Sequence, residues 1–307
     1  MITAVCMNPA FDKTVVVDAL QPGRVNRVSR GRVDASGKGV NVAIVAQRLG
    51  LEARCIGCAG EDGAERFRSM LDAQQVEHCF LTVPGTLRTN LKVVHADGSG
   101  VTELNEPGAP VGRDQLEAFF SLAEHAAKDS EMLVVNGSLP PECPEGTYCE
   151  LMLRAGIPCI LDVAGRELLL GLKARPFLIK PNIHELEATL GVALHSMTEI
   201  IDAAHKLMTQ GAQNVLVSMG GDGALLVTAK QAYYAPVVPV KVGSTVGAGD
   251  SMVGGFLKGL AVSGGNLKEA FRWSVAAATA AVMTEGTQLV MPDDVTLLIE
   301  QVVIQEV

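Results

Sequence analysis

A run of small residues ending in a carboxylate is the first candidate for chemistry: Gly247, Ala248, Gly249 and Asp250, followed by a helix-like run over 251–262. The first turn of a helix has unpaired N–H groups and a partial positive charge, and small residues let an anionic oxygen approach them closely. Asp250 is placed to take a proton from an attacking hydroxyl as a general base. The same residues also suit a plain glycine-capped helix start, so both interpretations stay open.

A lysine, an amide and an acid follow a strand-like segment further upstream. Lys180 precedes Pro181, Asn182 and Glu185. Lys180 is a candidate for nucleotide phosphate, while Asn182 and Glu185 are candidates to hold a hydrated Mg²⁺, which often keeps several waters. Pro and Asn are also favoured at helix starts, so a simple N-terminal cap fits equally well.

A glycine-rich segment after another strand-like run is the candidate nucleotide shelf. It consists of Ser218, Met219, Gly220, Gly221, Asp222 and Gly223. Its glycines also suit a hairpin turn. The chain lacks G-x-x-x-x-G-K-[ST], which argues against a P-loop enzyme, and it lacks G-x-G-x-x-G after its first strand, which argues against a dinucleotide-binding dehydrogenase.

Residues suited to a sugar phosphate come from the first half of the chain. Hydroxyl-binding candidates are Asp12 and Asn41, and phosphate candidates include arginines, which bind phosphate in a bidentate manner. The full candidate set is Asp12, Asn26, Arg27, Gly37, Lys38, Asn41, Arg88, Asn90 and Ser138, with Arg24 as a further cation. Each is also compatible with a turn or a solvated surface charge.

The elements that must position these residues alternate in type. Apolar strand candidates are 2–7, 53–56, 132–136, 157–162, 177–180 and 215–218, and helix candidates are 39–49, 64–73, 113–128, 146–155, 183–190 and 198–210. Val240–Val242 suits a strand end, and 276–283 suits a buried helix beside the one that begins near Gly247. Alternation of this kind predicts a parallel α/β sheet covered on both faces.

Two stretches, 14–33 and 89–104, break the alternation with strands that have no helices between them. We expect them to form a small separate sheet. The prediction is a single domain, 1–307, with a β-sheet lid formed by two excursions, about 13–35 and 87–106. A lid of this kind would shield a site from water.

Composition bounds the class of protein. The 307 residues are 48% hydrophobic and carry a net charge of −9, without the basic stripe of a nucleic-acid binder. Seven scattered cysteines favour free thiols and a cytoplasmic location, and Cys55 with Cys58 suits a buried core better than a metal site. No secretory signal or membrane-spanning stretch is expected, so no membrane partner is predicted.

Taken in order, these motifs resemble the phosphofructokinase B group of the ribokinase-like carbohydrate kinases. The resemblance spans nearly the whole chain. It rests on the motifs Asn8-Pro-Ala-x-Asp12, Gly23-x-Val-Asn-Arg27, Gly37-Lys-Gly-x-Asn41, Thr102-Glu-Leu-Asn-Glu-Pro-Gly108, Gly137-Ser-Leu-Pro-Pro141, Lys180-Pro-Asn-x-x-Glu185 and Gly247-Ala-Gly-Asp250. The chain looks most like the branch that contains the 1-phosphofructokinases and tagatose-6-phosphate kinases.

This resemblance implies a three-layer α/β/α sandwich with a β-sheet lid, often shared in a homodimer, and an enzyme using ATP and Mg²⁺. It makes Asp250 the proton acceptor and residues 247–249 the anion hole. It assigns Lys180, Asn182 and Glu185 to ATP and Mg²⁺, and residues 218–223 to the nucleotide. It also assigns to the sugar phosphate Asp12, Gly37, Asn41, Arg88 and Ser138.

One departure stands in the Gly-Lys-Gly turn, where Ser36 replaces the usual first glycine. The implied acceptor is a ketohexose phosphate, with fructose 1-phosphate ahead of tagatose 6-phosphate and fructose 6-phosphate. An unphosphorylated sugar or nucleoside acceptor and a non-enzymatic sugar-phosphate sensor are the other hypotheses. Retention of Asp250 and Glu185 argues against a sensor, which needs neither.

Overall fold

The computed structural model describes residues 1–96, 100–284 and 288–307. The strands are β1 (Ile2–Cys6), β2 (Ala10–Val17), β3 (Arg30–Ser36), β4 (Ala53–Asp62), β5 (Glu77–Thr86), β6 (Arg88–His95), β7 (Val101–Asn105), β8 (Met132–Asn136), β9 (Cys159–Asp162), β10 (Leu178–Ile179), β11 (Val215–Ser218), β12 (Ala224–Val227), β13 (Ala232–Ala235) and β14 (Gln305–Glu306). The helices are α1 (Lys38–Arg48), α2 (Ala64–Ala73), α3 (Arg113–Ala127), α4 (Thr147–Ala155), α5 (Gly165–Gly171), α6 (Ile183–Leu190), α7 (Met197–Thr209), α8 (Ala248–Val262), α9 (Leu267–Val282) and α10 (Pro292–Ile299).

Ten of the described strands form one large sheet, in the order β14-β13-β12-β11-β10-β9-β8-β1-β4-β5. The pairings from β5 through β11 are parallel, and β12, β13 and β14 add on in antiparallel fashion. A parallel sheet brings the carboxyl ends of its strands to one edge, where α/β proteins bind ligands. That edge carries the candidate residues at the ends of β8 to β11.

Helices cover both faces of the large sheet. One apolar core joins it to α1, α2, α8, α9 and α10, and a second joins it to α3, α4, α6 and α7 on the other face. The central strands are buried throughout, as expected where both faces are covered. The predicted three-layer α/β/α sandwich is therefore confirmed.

A second, four-stranded sheet has the order β3-β2-β6-β7. Strand β6 pairs parallel with β2, and β3 and β7 pair antiparallel at the two edges. The small sheet predicted from 14–33 and 89–104 is present, although β2 starts earlier, at Ala10, and 18–29 contains no strand. Residues 97–99 of the second predicted stretch lie outside the described residues.

Some sequence-based element predictions need correction. Val240–Val242 is not a strand; it lies in an irregular stretch after Pro236 and Pro239, and proline has no N–H for a sheet ladder. Strands β5, β12, β13 and β14 were not predicted, since β5 contains Pro84 and Gly85 and the others are short. The helix predicted over 276–283 is the second half of α9, and α9 packs on α8 as expected.

Across the described ranges, no helix is long and apolar enough to cross a membrane. Each cysteine is a free thiol, and Cys55 and Cys58 are buried in β4. The cytoplasmic location stays a prediction from the sequence.

Candidate active site

The start of α8 forms the centre of the candidate site. Gly247 is the N-terminal cap and has a φ of 78°, a conformation that favours glycine. A Cβ at this position would lie 2.7 Å from Leu289 Cδ2, so both backbone and space require glycine. The Ser251 N–H donates to the Gly247 carbonyl at 2.9 Å, which is a regular helical hydrogen bond. The N–H groups of Gly249 and Asp250 come before it, in the first turn, where N–H groups have no partner within the helix. They suit an oxyanion.

Asp250 is buried in the first turn of α8, with 6% of its surface exposed. Its Oδ2 accepts a hydrogen bond from Asn41 Nδ2 at 2.7 Å, which ties α8 to α1. Burial, and then the nearby charge of Asp162, raises the pKa of Asp250 to about 6, although Lys38, Asn41 and Lys180 oppose the shift. Asp250 is thus mainly ionised at neutral pH and remains basic enough to take a proton.

A second buried carboxylate, Asp162, lies at the end of β9. Lys38 Nζ is 3.4 Å from its Oδ2, and Lys180 Nζ is 3.2 Å from its Oδ1. One carboxylate therefore holds both candidate phosphate-binding lysines. Asp162 was not among the predicted site residues, although its place at the carboxyl end of a predicted parallel strand was a usable signal.

Acids surround the Lys38 ammonium. Burial opposes its charge, but Asp162, Asp250 and Glu185 outweigh that effect and raise the pKa of Lys38. Lys180 lies close to the start of α8. A Cβ added to Gly249 would be 3.3 Å from Lys180 Nζ. Both cations are thus held beside the α8 N-terminus.

Asp12, on β2 of the small sheet, accepts three hydrogen bonds from side chains. Its Oδ2 accepts from Lys92 Nζ at 2.6 Å and from Ser36 Oγ at 2.9 Å, and its Oδ1 accepts from Asn90 Nδ2 at 3.0 Å. Side-chain exposure is only 5% for Asp12 and 8% for Lys92. Ser36, the departure seen in the sequence, therefore adds a hydroxyl that fixes Asp12. Lys92 was missed, although it follows Arg88 and Asn90 at the two-residue spacing of one strand face.

Two cavities adjoin these residues. One, of about 270 Å³, lies between the small sheet and α8, and its lining includes Asp12, Ser36, Asn41 and Gly247. The other has a volume of about 280 Å³, and its lining consists of Cys6, Asn8, Lys38, Arg88, Asn90, Asn105, Asn136, Gly137 and Ser138. The structure therefore brings four of the predicted substrate residues, Lys38, Arg88, Asn90 and Ser138, to one cavity.

Arg88 also forms hydrogen bonds to the backbone at the wall of the second cavity. Its guanidinium donates to the carbonyls of Asn8 at 2.7 Å, Glu106 at 3.2 Å and Pro9 at 3.4 Å. Asn8 Nδ2 in turn donates to Ser138 Oγ at 3.3 Å. The N-terminal motif, the 102–108 motif and the 137–141 motif therefore meet at this wall.

The turn that starts α1 approaches β1 closely. Gly37 has a φ of 132°, and a Cβ there would lie 2.5 Å from Cys6 Sγ. A side chain at position 37 would therefore push α1 away from the cavity, together with Lys38 and Asn41.

Asn182 and Glu185 form a capping box at the start of α6. Asn182 Oδ1 accepts from the Glu185 N–H at 2.8 Å, and Glu185 Oε2 accepts from the Asn182 N–H at 2.9 Å. The cap suggested by the sequence is thus present, and it does not preclude a further role for Glu185. No group of three or more His, Cys, Asp or Glu side chains suited to a metal occurs among residues 1–96, 100–284 and 288–307.

The segment Ser218–Gly223 is the turn of the β11–β12 hairpin, with a 3-10 turn over Gly220–Asp222. It adjoins the capping box, because Ser218 N–H donates to the Pro181 carbonyl at 3.2 Å and Asn182 bridges with Ser218. Gly220 and Gly221 are exposed, and a Cβ on either would meet nothing within 4 Å. The hairpin therefore presents an open backbone surface beside Lys180.

Asn26 and Arg27 lie apart from both cavities. Asn26 is engaged in a local turn, where its Nδ2 donates to the carbonyls of Gln21 and Arg24, both at 3.0 Å. Arg24 and Arg27 are exposed on the same 18–29 segment, which leads from β2 to β3. Of the cations predicted for the acceptor phosphate, only Lys38 and Arg88 line a cavity of the site.

Comparisons with known proteins show which family the chain belongs to. Residues 6–294 match the model of the pfkB family carbohydrate kinases. The chain is 35% identical over 293 residues to the 1-phosphofructokinase of Bacillus subtilis, covering 94% of this chain and 95% of that protein. It is 38% identical over 262 residues to the 1-phosphofructokinase of Escherichia coli K12, covering 84% of each.

Solved structures support the same grouping. A structure titled phosphofructokinase-2 from Escherichia coli in complex with substrates and products superposes with a TM-score of 0.90 and is 30% identical, over 98% of both chains. A Thermotoga maritima ribokinase, 23% identical, shares the fold with a TM-score of 0.80, over 98% of this chain and 99% of that one. The chain therefore belongs to the pfkB family of carbohydrate kinases, and it is an ATP-dependent sugar kinase with a ribokinase-like fold.

Proposed function

We propose that the enzyme phosphorylates fructose 1-phosphate to fructose 1,6-bisphosphate with ATP. The observation that carries the proposal is the buried Asp250 at the start of α8, whose charge acts on Lys38 in a cavity that Arg88 also lines. A general base and an anion hole fit phosphoryl transfer, and the two cations fit an acceptor that already bears a phosphate. The curated relatives named 1-phosphofructokinase support this sugar.

In the proposed reaction, a sugar hydroxyl oxygen attacks the γ-phosphorus of ATP. The bond from that phosphorus to the β–γ bridging oxygen breaks and ADP leaves, while Asp250 takes the hydroxyl proton. The N–H groups of Gly249 and Asp250, with Ala248 and the Gly247 turn beneath them, stabilise charge on the transferring phosphoryl group. Lys180 adds a positive charge next to Gly249.

We call the region of Lys180, Asn182, Glu185 and 218–223 the nucleotide side. We propose that ATP lies along the open β11–β12 hairpin with its phosphates toward Lys180 and Gly249. Mg²⁺ fits here without a three-acid cluster, because it keeps several waters and also binds the nucleotide phosphates. Glu185 is the proposed metal ligand, acting through water, since its charge already acts on Lys38 within the site. When bound, the ion would supply charge neutralisation.

We call the region of Asp12, Asn41, Arg88 and the second cavity the sugar side. Asp12, Asn41 and Asn90 are proposed to bind sugar hydroxyls, with Gly37 keeping α1 in place. Lys38, Arg88 and Ser138 are proposed to bind the phosphate of the acceptor.

We propose that the small sheet acts as a lid on the single domain, through the excursions 13–35 and 87–106. Support comes from Asp12 and Asn90, which lie on that sheet and line the two cavities. Val25, Val101 and Leu104 leave apolar surface exposed on the same excursions, which favours a homodimer through the lid. A second copy packed there is one way to bring Asn26 and Arg27 to a substrate.

The test is ADP release measured with fructose 1-phosphate, tagatose 6-phosphate, fructose 6-phosphate and free ribose. We expect the highest kcat/KM with fructose 1-phosphate and negligible turnover of ribose. A preference for ribose would favour an unphosphorylated acceptor, and no turnover of any sugar would favour the sensor. Fructose 6-phosphate is the second candidate, because phosphofructokinase-2 from Escherichia coli was solved in complex with it.

A further inference from the structure

An amide on the floor of the second cavity has no partner. Asn136 is the last residue of β8, only 1% of its surface is exposed, and neither Nδ2 nor Oδ1 forms a hydrogen bond within the described structure. Buried polar groups are nearly always paired, and leaving both atoms of an amide unpaired is costly. An amide in this condition indicates a binding partner that the protein itself does not supply.

Strand geometry fixes the direction of the Asn136 side chain. Successive side chains of a strand alternate between the faces of a sheet, and Met132 and Val134 belong to the core shared with α1 and α8. Asn136 therefore points to that same face. There it stands between Cys6 of β1 and Asp162 of β9, its register partner.

The surroundings identify what the amide faces. Asn136 lines the same cavity as Lys38, Arg88 and Ser138, the proposed phosphate ligands. Its neighbour Cys6 is a weak hydrogen-bonding partner, since burial raises the pKa of that thiol to about 11 and leaves it neutral. The Lys38 stem packs over adjacent Gly137 while its ammonium pairs with Asp162. A phosphate that draws this ammonium away would open the cavity floor.

An amide both donates and accepts, whereas a phosphate dianion only accepts. A bound phosphate can therefore satisfy Nδ2 but not Oδ1, which needs a donor, and a ligand hydroxyl close to the phosphate is one. In the furanose form of a ketohexose 1-phosphate, the carbon next to the phosphate-bearing carbon carries the anomeric hydroxyl. In the 6-phosphate, the corresponding carbon carries the ring oxygen and no hydroxyl.

We propose that Asn136 is a specificity-determining residue that selects ketose 1-phosphates. Its Oδ1 accepts a hydrogen bond from the anomeric hydroxyl, and its Nδ2 donates to a phosphate oxygen. This assignment rests on the proposed function and deepens it, because it gives a physical reason for preferring the 1-phosphate over the 6-phosphate.

The test uses 2,5-anhydromannitol 1-phosphate, which equals fructofuranose 1-phosphate without the anomeric hydroxyl and keeps the hydroxyl to be phosphorylated. In the wild-type enzyme we expect kcat/KM to be at least about 10-fold higher for fructose 1-phosphate than for this analogue. Asn136→Leu should abolish the difference by lowering kcat/KM for fructose 1-phosphate more than for the analogue. The KM for ATP should not change.

Asn136→Asp is the second variant, and it guards against a folding defect in the first. It keeps Oδ1 as an acceptor but adds a negative charge near the phosphate. We therefore expect weaker use of both substrates with the preference for fructose 1-phosphate retained. Calorimetric binding of the two sugars to the wild type and both variants complements the kinetics.

The assignment is overturned if Asn136→Leu lowers kcat/KM equally for both sugars, or if it keeps the wild-type preference. If the wild type binds fructose 1-phosphate better than the analogue, and Asn136→Leu does not, the assignment holds even where no ADP is formed. In that case only the proposed reaction fails. Failure of the reaction is thus distinguished from failure of the Asn136 assignment.

Discussion

The sugar side and the nucleotide side are built from different parts of the polypeptide. On the sugar side, buried side chains bind one another, as when Asp12 accepts from Ser36, Asn90 and Lys92. On the nucleotide side, the surface is mostly backbone, with a capping box and an open glycine hairpin beside Lys180. A sugar with several hydroxyls is recognised by placed side chains, whereas phosphates are bound by N–H groups and a lysine.

Asp250 lies at the junction of the two sides, and its loss should have the largest effect. We expect Asp250→Asn to lower kcat at least about 100-fold, because a neutral amide cannot take the hydroxyl proton. The dissociation constant of ATP, measured by calorimetry, should stay close to that of the wild type. Near-normal turnover in a correctly folded variant would remove Asp250 from the role of base.

Lys92→Met tests the buried hydrogen bonds around Asp12 on the sugar side. Removing one partner of a buried ion pair leaves Asp12 uncompensated, so the free energy of unfolding should fall by about 3–5 kcal/mol. Urea denaturation measures this loss, and KM for the sugar should rise. Lys13→Met, an exposed lysine on the same sheet, is the matched control and should change stability by no more than about 0.5 kcal/mol. Equal stability of the two variants would contradict a stabilising role for the buried Lys92–Asp12 ion pair.

Gly249→Ala tests the backbone-built nucleotide side. The added methyl meets the Lys180 ammonium at 3.3 Å, so the lysine must shift away from the α8 N-terminus. We expect KM for ATP to rise about 10-fold, the effect of one displaced charge-assisted contact, with a smaller change for the sugar. Gly31→Ala, whose methyl meets its neighbours only at 3.5 Å and beyond, is the control. A larger effect on the KM for the sugar than on the KM for ATP would contradict the assignment of Gly249 and Lys180 to the nucleotide side.

The smallest effect concerns pH. Asp250 has a pKa of about 6, so kcat should fall as the pH is lowered through 6 and the base becomes protonated. The hydrogen bond from Asn41 lowers that pKa, so Asn41→Leu should raise it and move the fall in kcat to higher pH. Saturating pH profiles measure the shift, with Ser36→Ala, which affects Asp12 instead, as the control. A shift to lower pH in Asn41→Leu would contradict the sign.

Much of the fold was predictable because its signals are local. The spacing of apolar residues in 64–73 and 183–190 gave the bounds of α2 and α6, and the buried runs gave β8 and β11. Strand β5 was missed because its sequence contains Pro84 and Gly85 and most of its residues are not buried, so it lacks a continuous buried run.

The same limit applies to the site. Motifs predicted that Asp250 lies in the first turn of a helix and that Lys180 lies between a strand and a helix, because caps and glycine turns depend on adjacent residues. The partnerships of Asp162 with Lys38 and of Lys92 with Asp12 join residues 124 and 80 positions apart. No spacing within a short window reveals them. Asn26 and Arg27 stay predicted substrate ligands, although their segment lies away from the cavities.

If Lys38 binds the sugar phosphate and Lys180 binds ATP, as proposed, the position of Asp162 between these two lysines makes the two ligands thermodynamically interdependent. A sugar phosphate that draws Lys38 away leaves Asp162 paired with Lys180 alone, and that lysine then becomes harder for ATP to recruit. An ATP phosphate that recruits Lys180 first has the converse effect on Lys38. Linkage requires this contribution to be equal in size whichever ligand binds first. A single shared counter-ion thus connects two binding equilibria without any movement of the backbone.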